Sequence, residues 1–132
     1  MKVAFASSDG VQIDEHFGRA GTFHVWNVES DSASCIARLD NLAKEDVDSE
    51  DHIIAKANAL QGCAIACSIQ IGGPAAAKLV ARHIHPMKTQ SVVPIADMIA
   101  KLQGVLRGPL PPWLAKCAGI KQTRQFVERP EE

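Results

Sequence analysis

The order of strand-like and helix-like segments constrains the fold of this chain more than any other feature of its sequence. Three strand-like runs come first, at residues 2–6, 22–28 and 33–39, with polar turn residues between them. Helical and strand-like segments then alternate. Hairpin connections make the first three strands antiparallel neighbours, whereas helical crossovers make the later strands parallel. The sequence therefore predicts an α/β fold with a five-stranded mixed sheet, three antiparallel and then two parallel strands, flanked by helices.

The ends of three helices are marked by capping and breaking residues. Asp48 or Ser49 is suited to be the N-cap of the first helix, and Gly62 is expected to close it. Pro74 fits the first position of the second helix, and Pro94 opens the third. One face of the third helix is predicted to be apolar, through Ile95, Met98, Ile99, Leu102 and Leu106.

Two short runs predict the later strands of the sheet. Residues 63–67 are apolar throughout, as in a strand that is buried on both faces. Residues 83–88 follow the second helix, and Pro86 indicates an edge position for this strand. Cys63 is expected to be a core residue. Cys67 stands at the carboxyl end of its strand, where it is either a further buried residue or a ligand.

Composition limits the class of protein. The chain has 132 residues, of which 46% are hydrophobic, which fits one globular domain. A net charge of −1 argues against a general nucleic-acid binder, and no stretch is apolar enough to span a membrane. We expect a cytoplasmic protein in which residues 1–117 form one α/β domain and residues 118–132 a polar, partly disordered tail. Reduced thiols are then expected at Cys35, Cys63, Cys67 and Cys117, which form no CxxC pair.

The segment at residues 14–23, with the sequence DEHFGRAGTF, is the main candidate for a ligand site. It joins two strands, it is rich in glycine and charge, and it is expected to lie exposed at the rim of the sheet. His16 at its centre is either a metal ligand or a histidine that caps the loop by hydrogen bonds. Ligands bind outside the carboxyl ends of parallel strands, where this loop should meet residues 68–73 and the turn after Lys88.

A second candidate feature is the Gly72–Gly73 pair before the second helix. Free backbone N–H groups and the helix dipole at such a point attract anions, although a helix start needs residues of this kind for structural reasons alone. Catalytic features are weaker. No nucleophile motif is present, and Asp9, Asp14 and Glu15 are only a loose match to the carboxylates of a Mg²⁺-dependent nuclease.

Several motifs together resemble a known family. They are KVAFASSDG at residues 2–10, DEHFG at 14–18, GGPAA at 72–76 and IHP at 84–86. In these the chain resembles the dinitrogenase iron–molybdenum cofactor biosynthesis family over about residues 2–117, and within it the NifX type and its vanadium-nitrogenase counterpart. The segment PPWLAK at residues 111–116 is also similar to that subgroup.

The resemblance implies a ribonuclease-H-like three-layer fold and a non-enzymatic carrier. The cargo would be the iron–molybdenum or iron–vanadium cofactor, or its iron–sulfur precursor, relayed between assembly scaffold proteins and apo-dinitrogenase. It implies that His16 contacts the cofactor and binds its metal. Arg19, the amides of Gly72 and Gly73, and Cys67 are the further candidate contacts. A regulatory docking module that binds no cluster, and a Mg²⁺-dependent nuclease of the same fold, remain as alternatives.

Overall fold

The computed structural model describes residues 1–40, 50–109 and Pro112. The strands are β1 (Lys2–Ala6), β2 (Gln12–Ile13), β3 (Phe23–Val28), β4 (Ala33–Leu39), β5 (Ile65–Ser68), β6 (His85–Lys88) and β7 (Val93–Pro94). The α-helices are α1 (Glu50–Ala59), α2 (Gly73–Ala81) and α3 (Ile95–Leu106), and a 3-10 turn covers Phe17–Arg19. Three predictions lie outside the described residues. They concern the N-cap at Asp48 or Ser49, the reduced thiol of Cys117 and the C-terminal tail.

The main sheet has five strands in the order β4-β3-β1-β5-β6. Strand β1 pairs antiparallel with β3, and β3 with β4, while β1–β5 and β5–β6 are parallel pairs. This arrangement confirms the mixed sheet predicted from the order of segments. Strand β6 is an edge strand, as Pro86 indicates, because an edge tolerates the missing N–H group of proline.

A second, two-stranded sheet was not predicted. Gln12 in β2 pairs with Pro94 in β7, and Ile13 pairs with Val93. The N–H group of Ile95 also donates to the carbonyl oxygen of Val11 at 2.8 Å. These bonds fasten the long loop after β1 to the start of α3. Two-residue strands are too short to show a period of two, so the sequence pattern does not reveal them.

Helices cover both faces of the main sheet. Helices α1 and α2 pack on one face through a core layer that contains Ala4, Phe23 and Leu79. Helix α3 packs on the other face through a layer that contains Phe5 and Ile65. The predicted apolar face of α3 is confirmed, since four of its residues are buried: Ile95, Met98, Ile99 and Leu102. None of the helices in the described ranges has the length and hydropathy needed to cross a bilayer.

The end of α1 shows why a glycine is needed after it. The helix ends at Ala59, and Gly62 follows with φ of +96°, a left-handed conformation that side chains disfavour. The turn is closed by the N–H group of Cys63, which donates to the carbonyl oxygen of Leu60 at 3.0 Å. Gly62 therefore turns the chain into β5, in agreement with its predicted role at the end of this helix.

Candidate functional site

The His16 segment is an ordered 3-10 turn. His16 is its N-cap, and the N–H groups of Arg19 and Ala20 donate to the His16 carbonyl oxygen at 3.1 and 3.0 Å. Phe17 is only 1% exposed, and its ring lies 5.5 Å from that of Phe23 between centroids. The exposed rim loop expected from the sequence is therefore only partly present. The side chain of His16 is exposed, but Phe17, Ala20 and Phe23 of the same segment are buried in the core.

The turn is joined to the loop that follows β5. The N–H group of Phe17 donates to the carbonyl oxygen of Gln70 at 2.9 Å, and that of Ile69 donates to Glu15 at 3.0 Å. The segment after β6 meets the same loop, because the N–H group of Thr89 donates to Ser68 at 2.9 Å. All three loops that were expected to meet at the carboxyl ends of the parallel strands do so.

A cavity of about 480 Å³ opens between this turn, α1 and the start of α2. The residues that line it are His16, Gly18, Arg19, Ile53, Gln70, Ile71, Gly72, Pro74 and Ala75. Three of the five predicted site residues, His16, Arg19 and Gly72, thus share one cavity. Gly73 is next to it in the chain but is not among the lining residues. The fifth, Cys67, lies elsewhere.

The start of α2 gives the cavity a positive electrostatic end. Gly72 is the N-cap of α2. The first helical residue is Gly73, whereas Pro74 was predicted for this position. No side chain caps this end, and its first turn has no acidic residue. Unsatisfied N–H groups and the helix dipole therefore favour an anion near Gly72. The guanidinium group of Arg19, also on the cavity wall, adds a full positive charge.

Cys67 lies on the opposite face of the sheet. It is fully buried in the core layer under α3, with Phe5 and Ile65, and burial raises the pKa of its thiol to about 12. Alternation along β5 sends Ala66, and not Cys67, to the face that carries the cavity. The structure therefore gives no support to Cys67 as a ligand at this site. Cys63 is buried as expected, and burial raises its pKa to about 11.

A residue that the sequence reasoning missed, Lys56, lies beneath the turn. Its side chain is 2% exposed, and its Nζ atom donates to the carbonyl oxygens of Phe17 at 3.0 Å and Gly18 at 2.7 Å. The position of Lys56 in the helical pattern could have indicated that it is buried. Lys56 is three residues after Ile53 and four before Leu60, so it stands on the apolar face of α1, where a lysine needs a buried partner.

Burial lowers the pKa of Lys56 to about 8, and the nearby carboxylate of Glu15 opposes this shift. Between that value and its ordinary pKa, the unfolded chain binds more protons than the folded one, so stability rises with pH. We expect the stability of wild type relative to Lys56→Met to increase by roughly 1–3 kcal/mol between pH 7.5 and 10. Urea unfolding of both proteins across this range measures it. Titration of the buried thiols cancels in the comparison, and a pH-independent difference would contradict the shift.

Two carboxylates of the first loop, Asp9 and Asp14, accept hydrogen bonds that build that loop. Asp9 accepts hydrogen bonds from the N–H groups of Gln12 and Val11, which lower its pKa. Asp14 accepts from the backbone and the hydroxyl of Ser8. Within the described ranges, no group of three or more His, Cys, Asp or Glu side chains is placed to hold a metal ion. Two of the three carboxylates considered for a nuclease site, Asp9 and Asp14, are thus turn-forming groups.

Together these features define a small α/β domain with an open cavity at the carboxyl ends of its parallel strands, where the exposed imidazole of His16 lies beside a positively charged wall. The chain belongs to the family described as "Dinitrogenase iron-molybdenum cofactor", whose model matches residues 1–104. This membership links it to nitrogen fixation and to the biosynthesis of the nitrogenase cofactor. The resemblance seen in the sequence motifs is thereby confirmed.

The names of similar proteins agree with this family. The chain is 40% identical to Protein NifX of Herbaspirillum seropedicae over 126 residues, which are 94% of this chain and 86% of the relative. It is 33% identical to Protein NifX of Rhodobacter capsulatus, over 100% of this chain and 86% of the relative. Protein NifY of Azotobacter vinelandii is 32% identical over 96% of this chain, which spans 51% of that longer relative.

A solved structure supports the fold. The structure titled "Crystal structure of PH0822" superposes with a TM-score of 0.62, over 79% of this chain and 91% of that one. The two sequences are 20% identical, so the likeness bears on the fold alone.

Proposed function

We propose that this chain is a non-enzymatic carrier of the nitrogenase metal cofactor or its iron–sulfur precursor. The cargo would bind in the cavity beside His16 and be relayed between assembly scaffold proteins and apo-dinitrogenase in the cytoplasm. The observation that carries this proposal is the exposed imidazole of His16 on the wall of a cavity of about 480 Å³. Family membership gives the class of cargo. We also infer that the three-layer arrangement is of the ribonuclease-H-like type.

The chemistry of the cavity suits such a cargo. Neutral imidazole is the commonest side-chain ligand of transition metals, so His16 would bind one iron or heterometal of the cluster. Sulfur-bridged iron clusters often carry negative charge, which Arg19 and the amides of Gly72 and Gly73 would neutralise or bond. A cluster held by a single protein ligand would stay exchangeable, as a carrier requires. The same donors suit the molybdenum form, the vanadium form and the precursor.

Replacement of His16 by asparagine tests the proposal. We expect the affinity for isolated iron–molybdenum cofactor, and for an iron–sulfur precursor cluster, to fall at least about tenfold because the imidazole ligand is lost. The fold should be unaffected, because the side chain is exposed. Anaerobic titration followed by absorbance and electron paramagnetic resonance measures the binding, and thermal unfolding checks the fold.

His83→Asn is the matched control. His83 is also exposed, lies outside the cavity lining and has φ of 63°, a conformation that asparagine tolerates. It should bind the clusters as wild type does. Equal affinity of His16→Asn and wild type would remove His16 from the site. Absence of cluster binding by wild type would refute the carrier function and favour the docking module.

A further inference from the structure

We propose that Lys56 is a positioning residue of this site, whose ammonium group holds the 3-10 turn in the shape that presents His16 to the cavity. The effect of Lys56 on cluster binding rests on the carrier function proposed above, whereas its effect on the turn does not. The proposal begins with two hydrogen bonds. Nζ of Lys56 lies 3.0 Å from the carbonyl oxygen of Phe17 and 2.7 Å from that of Gly18.

These two bonds fix two consecutive peptide groups. A peptide group is planar and trans, so a carbonyl that points towards Lys56 turns the N–H group of the next residue the opposite way. The carbonyl of Phe17 thereby sets the N–H group of Gly18, which lines the cavity. The carbonyl of Gly18 likewise sets the N–H group of Arg19, which donates to the His16 carbonyl oxygen at 3.1 Å. One ammonium group therefore helps to set the geometry of the turn from beneath, together with the backbone bonds that the N–H groups of Phe17, Arg19 and Ala20 make.

The orientation of His16 depends on this backbone. In the ranges that the structure describes, the His16 ring makes no hydrogen bond to another protein group, and the side chain is exposed. Its direction follows from the extended N-cap conformation, with φ of −73° and ψ of 145°. A turn that loses its anchor releases this conformation, and the imidazole then no longer has a fixed position beside Arg19.

The burial of a charge shows that packing alone does not account for Lys56. An ammonium group on an apolar helix face pays a desolvation cost that an aliphatic side chain avoids. Lys56 lies among Phe17, Ala57 and Leu60 in the core, with Nζ 6.0 Å from the centre of the Phe17 ring. A methionine would suit these apolar neighbours better, but it would remove the Nζ donor from the carbonyls of Phe17 and Gly18, leaving that of Phe17 with the N–H group of Ala20 at 3.4 Å.

Hydrogen exchange of the Lys56→Met variant tests this role without any cluster. The amides of Arg19 and Ala20, which donate to the His16 carbonyl oxygen, should exchange at least about tenfold faster than in wild type, relative to amides of β1. Lys56→Arg, which keeps a charged donor, should restore part of the protection. Unchanged protection of both amides in Lys56→Met would overturn the proposal.

Leu60→Ala is the control for a general loss of stability. Leu60 is fully buried four residues after Lys56 and makes no bond to the turn, so its loss should loosen all amides without singling out Arg19 and Ala20. An equal and selective effect of Leu60→Ala would also overturn the proposal. Where Lys56→Met does not fold, Lys56→Gln replaces it, because its shorter neutral amide does not reach both carbonyls.

Cluster titration separates this proposal from the carrier function. If wild type binds isolated iron–molybdenum cofactor, Lys56→Met should bind it at least about tenfold more weakly than Leu60→Ala does. If wild type binds none, the carrier function fails, while the exchange of Arg19 and Ala20 still decides whether Lys56 holds the turn. Equal cofactor affinity of wild type and Lys56→Met, with faster exchange in the variant, would refute the positioning role.

Discussion

Replacement of Phe17 by alanine is expected to lower the free energy of unfolding by about 3–5 kcal/mol and to abolish most cluster binding. Phe17 is the aromatic anchor of the turn, with 1% of its surface exposed and its ring against Phe23. Its loss leaves a cavity directly beneath His16. It also removes the ring beside Lys56, whose Nζ atom donates to the carbonyl oxygen of residue 17. The change therefore affects stability and site geometry together.

Phe5→Ala is the matched control for this experiment. Phe5 is fully buried in the other core layer, under α3, so its removal should cost a similar amount of stability. The cavity beside His16 lies on the opposite face of the sheet, and cluster affinity should stay within about threefold of wild type for the folded variant. Urea unfolding and anaerobic cofactor titration of both variants measure the two effects. Equal losses of affinity would show that the turn has no special dependence on Phe17.

The sequence was sufficient to predict the regular parts of the fold. Strands β1 and β4 have the predicted bounds, because short runs of strand-forming residues between polar turns mark such strands clearly. The parallel pairing of β5 and β6 followed from the helices that connect them. The edge position of Pro86 followed from its missing N–H group.

The features that position the site were harder to predict, because they are tertiary. Phe17 stands in a segment that is otherwise polar, and nothing in its neighbours shows that it reaches the core. Lys56 has a partner 38 residues away in the chain, at Gly18, which no local pattern reveals. The sequence did not decide on which face of the sheet Cys67 lies, because a shift of one residue in the register of β5 exchanges the two faces of the strand. His16 and Arg19 were predicted as site residues, and the structure places both at one cavity, but the residues that hold their backbone there were not predicted.

The largest difference in chemical reactivity is expected between two thiols. Cys35 is exposed on β4, whereas Cys67 is fully buried and burial raises its pKa to about 12. Burial therefore disfavours the reactive thiolate of Cys67, in addition to restricting the access of a reagent to its sulfur. Iodoacetamide labelling of the native protein, with each peptide quantified by mass spectrometry, should therefore modify Cys35 and leave Cys67 unmodified until the chain unfolds.

This prediction bears on whether Cys67 is a second ligand beside His16, the ligand that we propose. A cysteine binds iron as the thiolate, so a cluster held by Cys67 would require that thiol to ionise and to leave the core layer under α3. We therefore expect Cys67→Ala to bind isolated iron–molybdenum cofactor with the affinity of wild type. Cys35→Ala serves as the control for an exposed thiol. Protection of Cys67 by the cofactor in partly unfolded protein, or a loss of affinity of about tenfold in Cys67→Ala, would show that the chain opens to bind its cargo and that the cavity beside His16 is not the complete site.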